Sequence, residues 1–544
     1  MRSGHRLVVG LIVAVVVSLP TSALAAGEPS STGSTRDSYE ATASAVEAPP
    51  EVVDPRLKVT TVVDGLDLPM TVAFLGRNDL LVLEKNSGKV VRVVDGTVRS
   101  TVLDLSVNNA SERGLLGIAL HPRFPTVPFV YLYWTCRATV PPAGSQFVPE
   151  QPTCSNANLV GPDGANILQV PLLGNRLDRF RWTGTRLVFD RHLLTLRAFQ
   201  NDGAPTPPGQ GDSAGGPHGQ QPPLGNHDGG VLRFGSDGKL YLIYGDQGRR
   251  GALQNLPCGP TAIRCPGRIT PDDQFGGPSP DNAHFSGVII RLNDDGTTPP
   301  DNPFFAAGRA IGGQAGANIR RIYAYGIRNS FGMAFDPLSG RLWEEENGED
   351  AFDEINRVDR GMNGGWIQFM GPASRIRQFR QIESTSLNGD VYPNLQQYRW
   401  NPGRIAGTSE QAFARLYRLR GSRYSDPEFS WKYIVALAAI GFVRGSALGS
   451  AYAGDLLVGQ AEDEVRGGVL FRFDLTTDRL ALRFRDPRLR DRVADNRAPD
   501  DLTESQSLVL GTGFGIVTDI QTAPDGSVYV VSLSRGAIYR ISRA

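Results

Sequence analysis

The chain has 544 residues, 40% of them apolar and 21% charged, with 56 basic side chains against 56 acidic ones. A neutral balance with no block of about five or six like charges excludes an electrostatic binder of nucleic acid or of a membrane surface, which needs a concentrated positive field. A chain this long buries a core unaided, and its 63 Gly and 38 Pro point to an architecture rich in turns.

In chain order, Arg2 and Arg6 precede an unbroken apolar stretch from Leu7 to Val17, and Ala23-Leu24-Ala25 follows with small residues at signal-peptidase spacing. Residues 1–25 therefore read as a cleavable secretory signal, and the mature protein is expected to be secreted or periplasmic. The stretch is too short to cross about 30 Å of hydrocarbon as a helix, so no membrane span is expected in the mature chain. Residues 26–55, rich in Ser, Thr, Ala, Glu and Pro, are expected to form a disordered leader. Cys136, Cys154, Cys258 and Cys265 suit an oxidising compartment and permit two disulfides. Three connectivities are open, and sequence neighbours (136 with 154, 258 with 265) are the favoured pairs. No C-x-x-C knuckle supports zinc as the alternative.

From residue 56 onward a short unit recurs, in which a polar turn precedes an apolar strand. Gly76-Arg77-Asn78-Asp79 leads into Leu80–Leu83, and His121-Pro122-Arg123-Phe124 leads more weakly into Phe129–Tyr133. Ser236-Asp237-Gly238 leads into Leu240–Ile243, and Asp336 to Gly340 into Arg341–Trp343. Ala453-Gly454 leads into Asp455–Val458, and Pro524-Asp525-Gly526 into Val528–Val531. The repetition predicts an all-β fold, a six-bladed β-propeller over 56–544, because radial repetition lets many short antiparallel strands avoid exposed edges. Two or three unrelated β-sandwiches are the alternative. The strand around Val59–Val63 is expected to pair with Ala537–Ile541 and close the ring.

Long loop insertions are expected at 137–165, 201–225, 250–285 and 367–430, crowding one face. The last contains a short capped helix over Ser409–Tyr417. Tyr433–Val443, continuously apolar, reads as a buried strand or a short core helix.

Two motifs are set aside for lack of context. Gly211-Asp212-Ser213-Ala214-Gly215 has the G-x-S-x-G pattern but no strand before it and no helix after it. Gly511, Gly513 and Gly515 have no βαβ setting for a dinucleotide.

Three constellations are retained. Asn226-His227-Asp228-Gly229-Gly230 opens one strand of a hairpin and Gly245-Asp246-Gln247 closes the next, so His227 and Asp246 fall at the same end of a blade. A carboxylate there would fix the tautomer of a general base, and a structural histidine at a turn is the competing reading. Arg328 and Asn329, side by side at a strand entrance, could form a planar clamp on an anionic cofactor, and an exposed salt-bridging Arg328 is the competing reading. Glu344 to Glu354 holds seven acids in eleven residues around Gly348, which suits either Ca²⁺ or a solvated acidic loop.

These segments together resemble the soluble glucose/sorbosone dehydrogenase family, from about Leu66 to the C-terminus apart from the insertions. The matching pieces are Glu112-Arg113-Gly114-Leu115-Leu116-Gly117 through Pro122, the His227 to Asp246 hairpin, Gly326-Ile327-Arg328-Asn329, and Asp353-Glu354-Ile355-Asn356 followed by Gly361-Met362-Asn363-Gly364-Gly365-Trp366. The resemblance implies a six-bladed propeller that uses pyrroloquinoline quinone (PQQ) and Ca²⁺ to oxidise an aldose and passes electrons to an external acceptor. It implies His227 as the base, Asp246 as its orienting partner, Arg328 as stabiliser of charge on the reduced cofactor, Glu112 and Asn329 at the cofactor, and the carbonyls of Gly348 and Glu349 on Ca²⁺. Two departures stand out. Ile516-Val517-Thr518-Asp519 occupies the place of an Arg-x-Arg-Asp run that grips the quinone carboxylates, and Gln460 follows Val458-Gly459 where a Lys is expected. Arg444 and Arg466 are nearby candidates to compensate. A non-catalytic propeller binding a glycan or protein, and a Ca²⁺-dependent lactonase, are the alternative functions.

Overall fold

The structure, a computed structural model, describes residues 49–109, 112–136, 174–198, 227–246, 286–385, 405–462 and 465–544. Residues 1–48, Ser213, Cys154, Cys258, Cys265 and the first three expected insertions lie wholly or mostly outside them. Among the described residues no helix is long and apolar enough to cross a membrane.

The recurring turn-strand units become second strands, each flanked on both sides by antiparallel neighbours. Sheet 1 runs Pro69–Gly76, Asp79–Glu84, Lys89–Val94 and Thr97–Asp104; sheet 2 runs Leu115–Leu120, Phe129–Thr135, Gly174–Trp182 and Leu187–Arg197. Sheet 3 is built on Leu232–Phe234, Leu240–Tyr244, Val288–Leu292 and Ile322–Tyr325, and sheet 4 on Gly332–Phe335, Leu342–Glu346, Ala351–Val358 and Phe429–Tyr433. Sheet 5 is built on Leu437–Phe442, Leu456–Gln460, Val469–Leu475 and Val509–Thr512. Sheet 6 takes Val517–Thr522, Val528–Ser532 and Ala537–Arg543 from the end of the chain and Leu57–Val63 from its beginning. Val59 pairs with Ile541, so the two ends of the chain are laced in one sheet.

The first strand of each sheet touches the first strand of the next, and sheet 6 returns to sheet 1, which closes the molecule into a β-propeller. The close approach at the axis selects the residues there. A side chain at Gly441 would place its Cβ 2.3 Å from the Ile520 carbonyl oxygen of the neighbouring first strand, so only glycine fits. Between sheets, apolar side chains interdigitate; Trp343, Trp431, Phe429, Phe471 and Phe473, all fully buried, fill the space between sheets 4 and 5. Within sheet 2 a polar network does the same work. Asp178 accepts from Trp134 Nε1 at 2.8 Å and Arg176 Nε at 2.9 Å, its other oxygen lies 2.7 Å from His192 Nδ1, and Thr195 Oγ1 lies 2.9 Å from His192 Nε2. Asp178 thereby ties its own strand to both neighbouring strands through buried polar contacts.

Several expectations need correction. The leader does not extend to residue 55: Glu51–Val52 adds a strand to Val509–Thr512, Val52 packs on the sheet 5–6 core, and Tyr452 and Arg56 both bond Asp54. The apolar valine and the free edge of sheet 5 outweigh the polar composition around them. The architecture is dominated by strands but carries short helices. Phe305–Ile311 and Gly313–Arg321 join the last two long strands of sheet 3, and Ile376–Thr385 occupies part of the fourth insertion. The helix expected over Ser409–Tyr417 ends at Arg415, and its cap is Thr408, which accepts from Gln411 N. Tyr433–Val443 contributes a buried strand, Leu437–Phe442.

Candidate functional site

The entry ends of the first strands converge at one mouth of the axis, and the residues just before them carry the polar chemistry. Glu112 precedes the first strand of sheet 2, His227 that of sheet 3, and Arg328 and Asn329 that of sheet 4. All four are buried.

The hairpin of sheet 3 sets the central pair. Leu232 faces Leu242 and Phe234 faces Leu240 across an antiparallel register, so the residues flanking the hairpin meet at one end. Gly245 makes the approach possible, since a Cβ there would lie 2.5 Å from the His227 carbonyl oxygen. His227 adopts a left-handed backbone conformation (φ 57°), a strained choice for a non-glycine residue that aims its ring inward. Its Nδ1 lies 2.5 Å from Asp246 Oδ1, and the second carboxylate oxygen of Asp246 accepts from Trp366 Nε1 at 2.8 Å. Asp246 is fully buried and His227 is 4% exposed. With Nδ1 turned to a carboxylate, Nε2 is the ring atom that can accept a proton. Burial lowers the His227 pKa and Arg328 lowers it further, against the pull of Asp246, so the imidazole is held neutral, the form a base requires.

The neighbours complete a dense polar cluster. Glu112 Oε2 accepts from the His227 backbone N–H at 2.5 Å, and burial beside Asp228 pushes the Glu112 carboxyl well above the usual carboxylate range. Sheet 2 props the next residue: Thr135 Oγ1 donates to Asn175, which donates to Asp228 Oδ1 at 2.6 Å. Arg328 donates to Glu349 Oε2 at 2.6 Å and to the Asn347 carbonyl at 2.8 Å, with its guanidinium carbon 5.7 Å from the centre of the Trp366 ring. The alternative of an exposed salt-bridging arginine is therefore corrected: the ion pair exists but is buried. The side chain of Asn329 is fully buried, with neither amide atom hydrogen-bonded among the described residues.

The acidic run is also buried, which corrects the reading of a solvated loop. Glu344, Glu345 and Glu346 lie on one strand of sheet 4 and Asp353 and Glu354 on the next, with Gly348 and Glu349 in the turn between them. Their carboxyls cap backbone donors. Glu345 takes Phe331 N, Glu346 takes Arg328 N at 2.5 Å, and Asp353 takes Gly348 N at 2.8 Å and Val435 N at 2.7 Å. Burial pushes Asp353 up to about 6, and burial with mutual repulsion raises Glu345 and Glu346 well above their ordinary value. Among the described residues, no three His, Cys, Asp or Glu side chains converge as a metal cluster.

Of the compensating arginines, Arg444 lies at the opposite mouth of the axis with Phe74, Arg233 and Gln521, and Arg466 is exposed. Arg444 is thus separated from the cluster by the length of the axis. Two residues not singled out from sequence reach the cluster: Trp366, through Asp246, and Lys85, a buried lysine lining a cavity with Glu112 and Thr518. Trp366 ends a Gly-Gly-Trp run, a signal too short to assign; Lys85 follows a strand in sheet 1 and looks like an ordinary turn residue.

The fold and site together define a β-propeller with a buried His227–Asp246 pair at one axial mouth, ringed by Arg, Asn and Glu. The chain belongs to the glucose/sorbosone dehydrogenase family, whose sequence profile matches residues 66–151 and 218–413, just over half of its length. It is 34% identical over 326 residues to aldose sugar dehydrogenase YliI of Escherichia coli, covering 59% of this chain and 62% of that protein. It is 28% identical over 317 residues to quinoprotein glucose dehydrogenase B of Acinetobacter calcoaceticus, covering 57% of this chain and 52% of that one. The matched part thus spans between about half and three fifths of these relatives. In fold, the soluble aldose sugar dehydrogenase of E. coli in its apo form superposes with a TM-score of 0.53 at 20% identity, over 90% of this chain and all of that one. The PQQ-bound aldose sugar dehydrogenase of Streptomyces coelicolor gives 0.50 at 20% identity, over 91% and 99%.

Proposed function

We propose that the protein is an exported, six-bladed propeller dehydrogenase that oxidises an aldose or related alcohol, with PQQ as cofactor and Ca²⁺ beside it, and hands electrons to an external acceptor. The His227–Asp246 contact, braced by Trp366 and set beside Arg328, carries this reading. The family membership and the quinoprotein relatives support the redox class. The six sheets with a closed ring of first strands support the blade count.

The residues present fit a quinone. Asn329 offers a buried donor and acceptor side by side without protein partners among the described residues, which a ring carrying carbonyl and carboxylate oxygens would satisfy. Asn329, Glu112 and Arg328 would hold it, and the carbonyls of Gly348 and Glu349 would face Ca²⁺. When bound, PQQ supplies a two-electron acceptor for the hydride leaving the carbon that bears the reacting hydroxyl. The chain's own part is proton chemistry and electrostatics. His227 Nε2 takes the hydroxyl proton as that carbon is oxidised, so the sugar loses one hydride and one proton and leaves as the lactone. Asp246 fixes the tautomer and stabilises the imidazolium that forms. Arg328, pinned by Glu349 and the Asn347 carbonyl, supplies fixed positive charge where negative charge develops, without reorganising.

Reconstitution of the purified chain with PQQ and Ca²⁺, followed by dye reduction with a panel of aldoses, tests the proposal. Turnover with at least one aldose is expected. Lactone hydrolysis without PQQ would replace this reading with a lactonase, and glycan binding that survives His227→Ala without any turnover would replace it with a binding module.

A further inference from the structure

The cavity at the entry mouth has one charged wall and several apolar ones. Met70, Phe331, Ala438 and Leu533 line it together with Thr518, Glu112 and Lys85. The surrounding cluster is apolar as well, and Ile516 and Ala461 belong to it. Lys85 is therefore the one cation lining this space among the described residues. It directly follows the second strand of sheet 1, its backbone N–H bonds the Leu68 carbonyl, and its carbonyl receives Leu115 N, so both adjacent first-strand entrances fix its place. Its ammonium donates to Asn86 Oδ1 at 3.2 Å. Thr518, which stands where the second arginine of the Arg-x-Arg-Asp run is missing, lines the same cavity, so the Lys85 side chain serves the space that this arginine leaves.

We infer that Lys85 grips a carboxylate of the quinone in this chain, one lysine on the wall of sheet 1 doing the work of cations that sheets 5 and 6 lack. The inference rests on the quinone reading above. A buried ammonium among apolar side chains is stabilised by an anion far more than a solvated one would be, because the local dielectric is low. The acid in the same wall does not remove that demand. Glu112 is driven toward its neutral form by burial and by Asp228, while burial lowers the Lys85 pKa only to about 8, which leaves the ammonium charged at neutral pH. Asp228 also attracts the Lys85 charge, but it does not line this cavity, so the cation that an entering carboxylate meets on the cavity wall is the Lys85 ammonium. The remaining apolar walls would contact the ring plane without contributing charge.

Titration calorimetry of the full chain, loaded with Ca²⁺, tests this by binding rather than turnover. The probes are PQQ and its trimethyl ester, which keeps the quinone and removes the carboxylate charges. Lys85→Gln is expected to weaken PQQ by about 10- to 100-fold, the range for a lost charged hydrogen bond, and to leave the ester within about threefold. Lys85→Arg is expected to recover most of the PQQ affinity. Thr518→Glu, which places an acid across the cavity from Lys85, reads the same space should Lys85→Gln fail to fold, and is expected to weaken PQQ selectively over the ester. Unchanged PQQ affinity in Lys85→Gln, or equal loss of PQQ and ester in both variants, overturns the role of Lys85 while leaving the quinone reading intact. Failure of the unaltered chain to bind PQQ overturns both.

Discussion

Asp246→Asn isolates the His227–Asp246 pair without changing its volume. The carboxylate uses both oxygens, one 2.5 Å from His227 Nδ1 and one accepting from Trp366 Nε1 at 2.8 Å. Asparagine has one acceptor and one donor group, and an indole N–H can only donate, so Trp366 claims the amide oxygen. The amide NH₂ then faces Nδ1, which must accept, and the ring proton moves to Nε2, the atom that has to receive the substrate's proton. Loss of the charge-assisted bond alone accounts for about 1.5–3 kcal/mol, or roughly 10- to 150-fold. Tautomer reversal adds to this, and the same Asp-to-Asn exchange in a serine-protease triad lowers turnover by about 10⁴-fold. The expected fall in kcat therefore lies between about 10² and 10⁴, with PQQ affinity little changed because Asp246 is not assigned to the cofactor. Steady-state dye reduction from pH 5 to 9, with PQQ affinity measured in parallel, gives both quantities. A variant within about tenfold of the parent at every pH would refute the assignment of His227 as an oriented base.

Other outcomes follow from the same geometry. Trp366→Phe removes the donor that pins the second oxygen of Asp246 and is expected to lower kcat by about tenfold with a smaller effect on KM; no change would show that Trp366 only packs. Because burial and Arg328 lower the His227 pKa, kcat/KM should rise with pH through a midpoint below the ordinary histidine value of about 6.5 and be flat above neutrality. A limb centred above 7 would contradict this. The buried acids set the opposite trend in stability. Asp353 at about 6, Glu344, Glu345, Glu346 and Glu354 are all raised by burial, so their stabilising contribution is complete below the unfolded carboxylate pKa and is lost as pH rises through the folded values. Thermal unfolding followed from pH 5 to 8 should show Tm falling, and Glu344→Gln should flatten the slope by about one proton. If the Gly348 and Glu349 carbonyls face Ca²⁺, the ion should raise Tm and a chelator should reverse the gain; insensitivity to both would remove Ca²⁺ from the proposal.

The propeller was legible in the sequence because its repeat is local. A polar turn followed by an alternating strand needs only neighbouring residues, and all six turn-strand units became second strands of sheets. Closure through Val59 and Ile541 followed from the apolar pattern at the two ends. The His227–Asp246 meeting was equally local, set by one hairpin. What stayed hidden depends on contacts across sheets. The seven acids left Ca²⁺ and a solvated loop open because nothing in their spacing reveals that Arg328 and Phe331 from one segment and Val435 from another supply backbone donors to Glu346, Glu345 and Asp353. Arg444 looked close to the site along the chain, but the length of one strand separates the two mouths of the axis. The place of Lys85, and the role of Trp366 beyond ending a matching run, stayed hidden for the same reason: Glu112, which shares the Lys85 cavity, lies 27 residues on, and Asp246, which Trp366 bonds, lies 120 residues back.

The central claim is that His227 takes a proton while the sugar gives up a hydride. Single-turnover mixing of the chain, preloaded with PQQ and Ca²⁺, with an aldose and its C1-deuterated form in the absence of dye tests it most directly. The oxidised quinone absorbance is expected to bleach, severalfold more slowly with the deuterated sugar and at least about 10³-fold more slowly in His227→Gln with the quinone still bound. A bound quinone that stays oxidised with every aldose, or bleaching at the parent rate in His227→Gln, would contradict it.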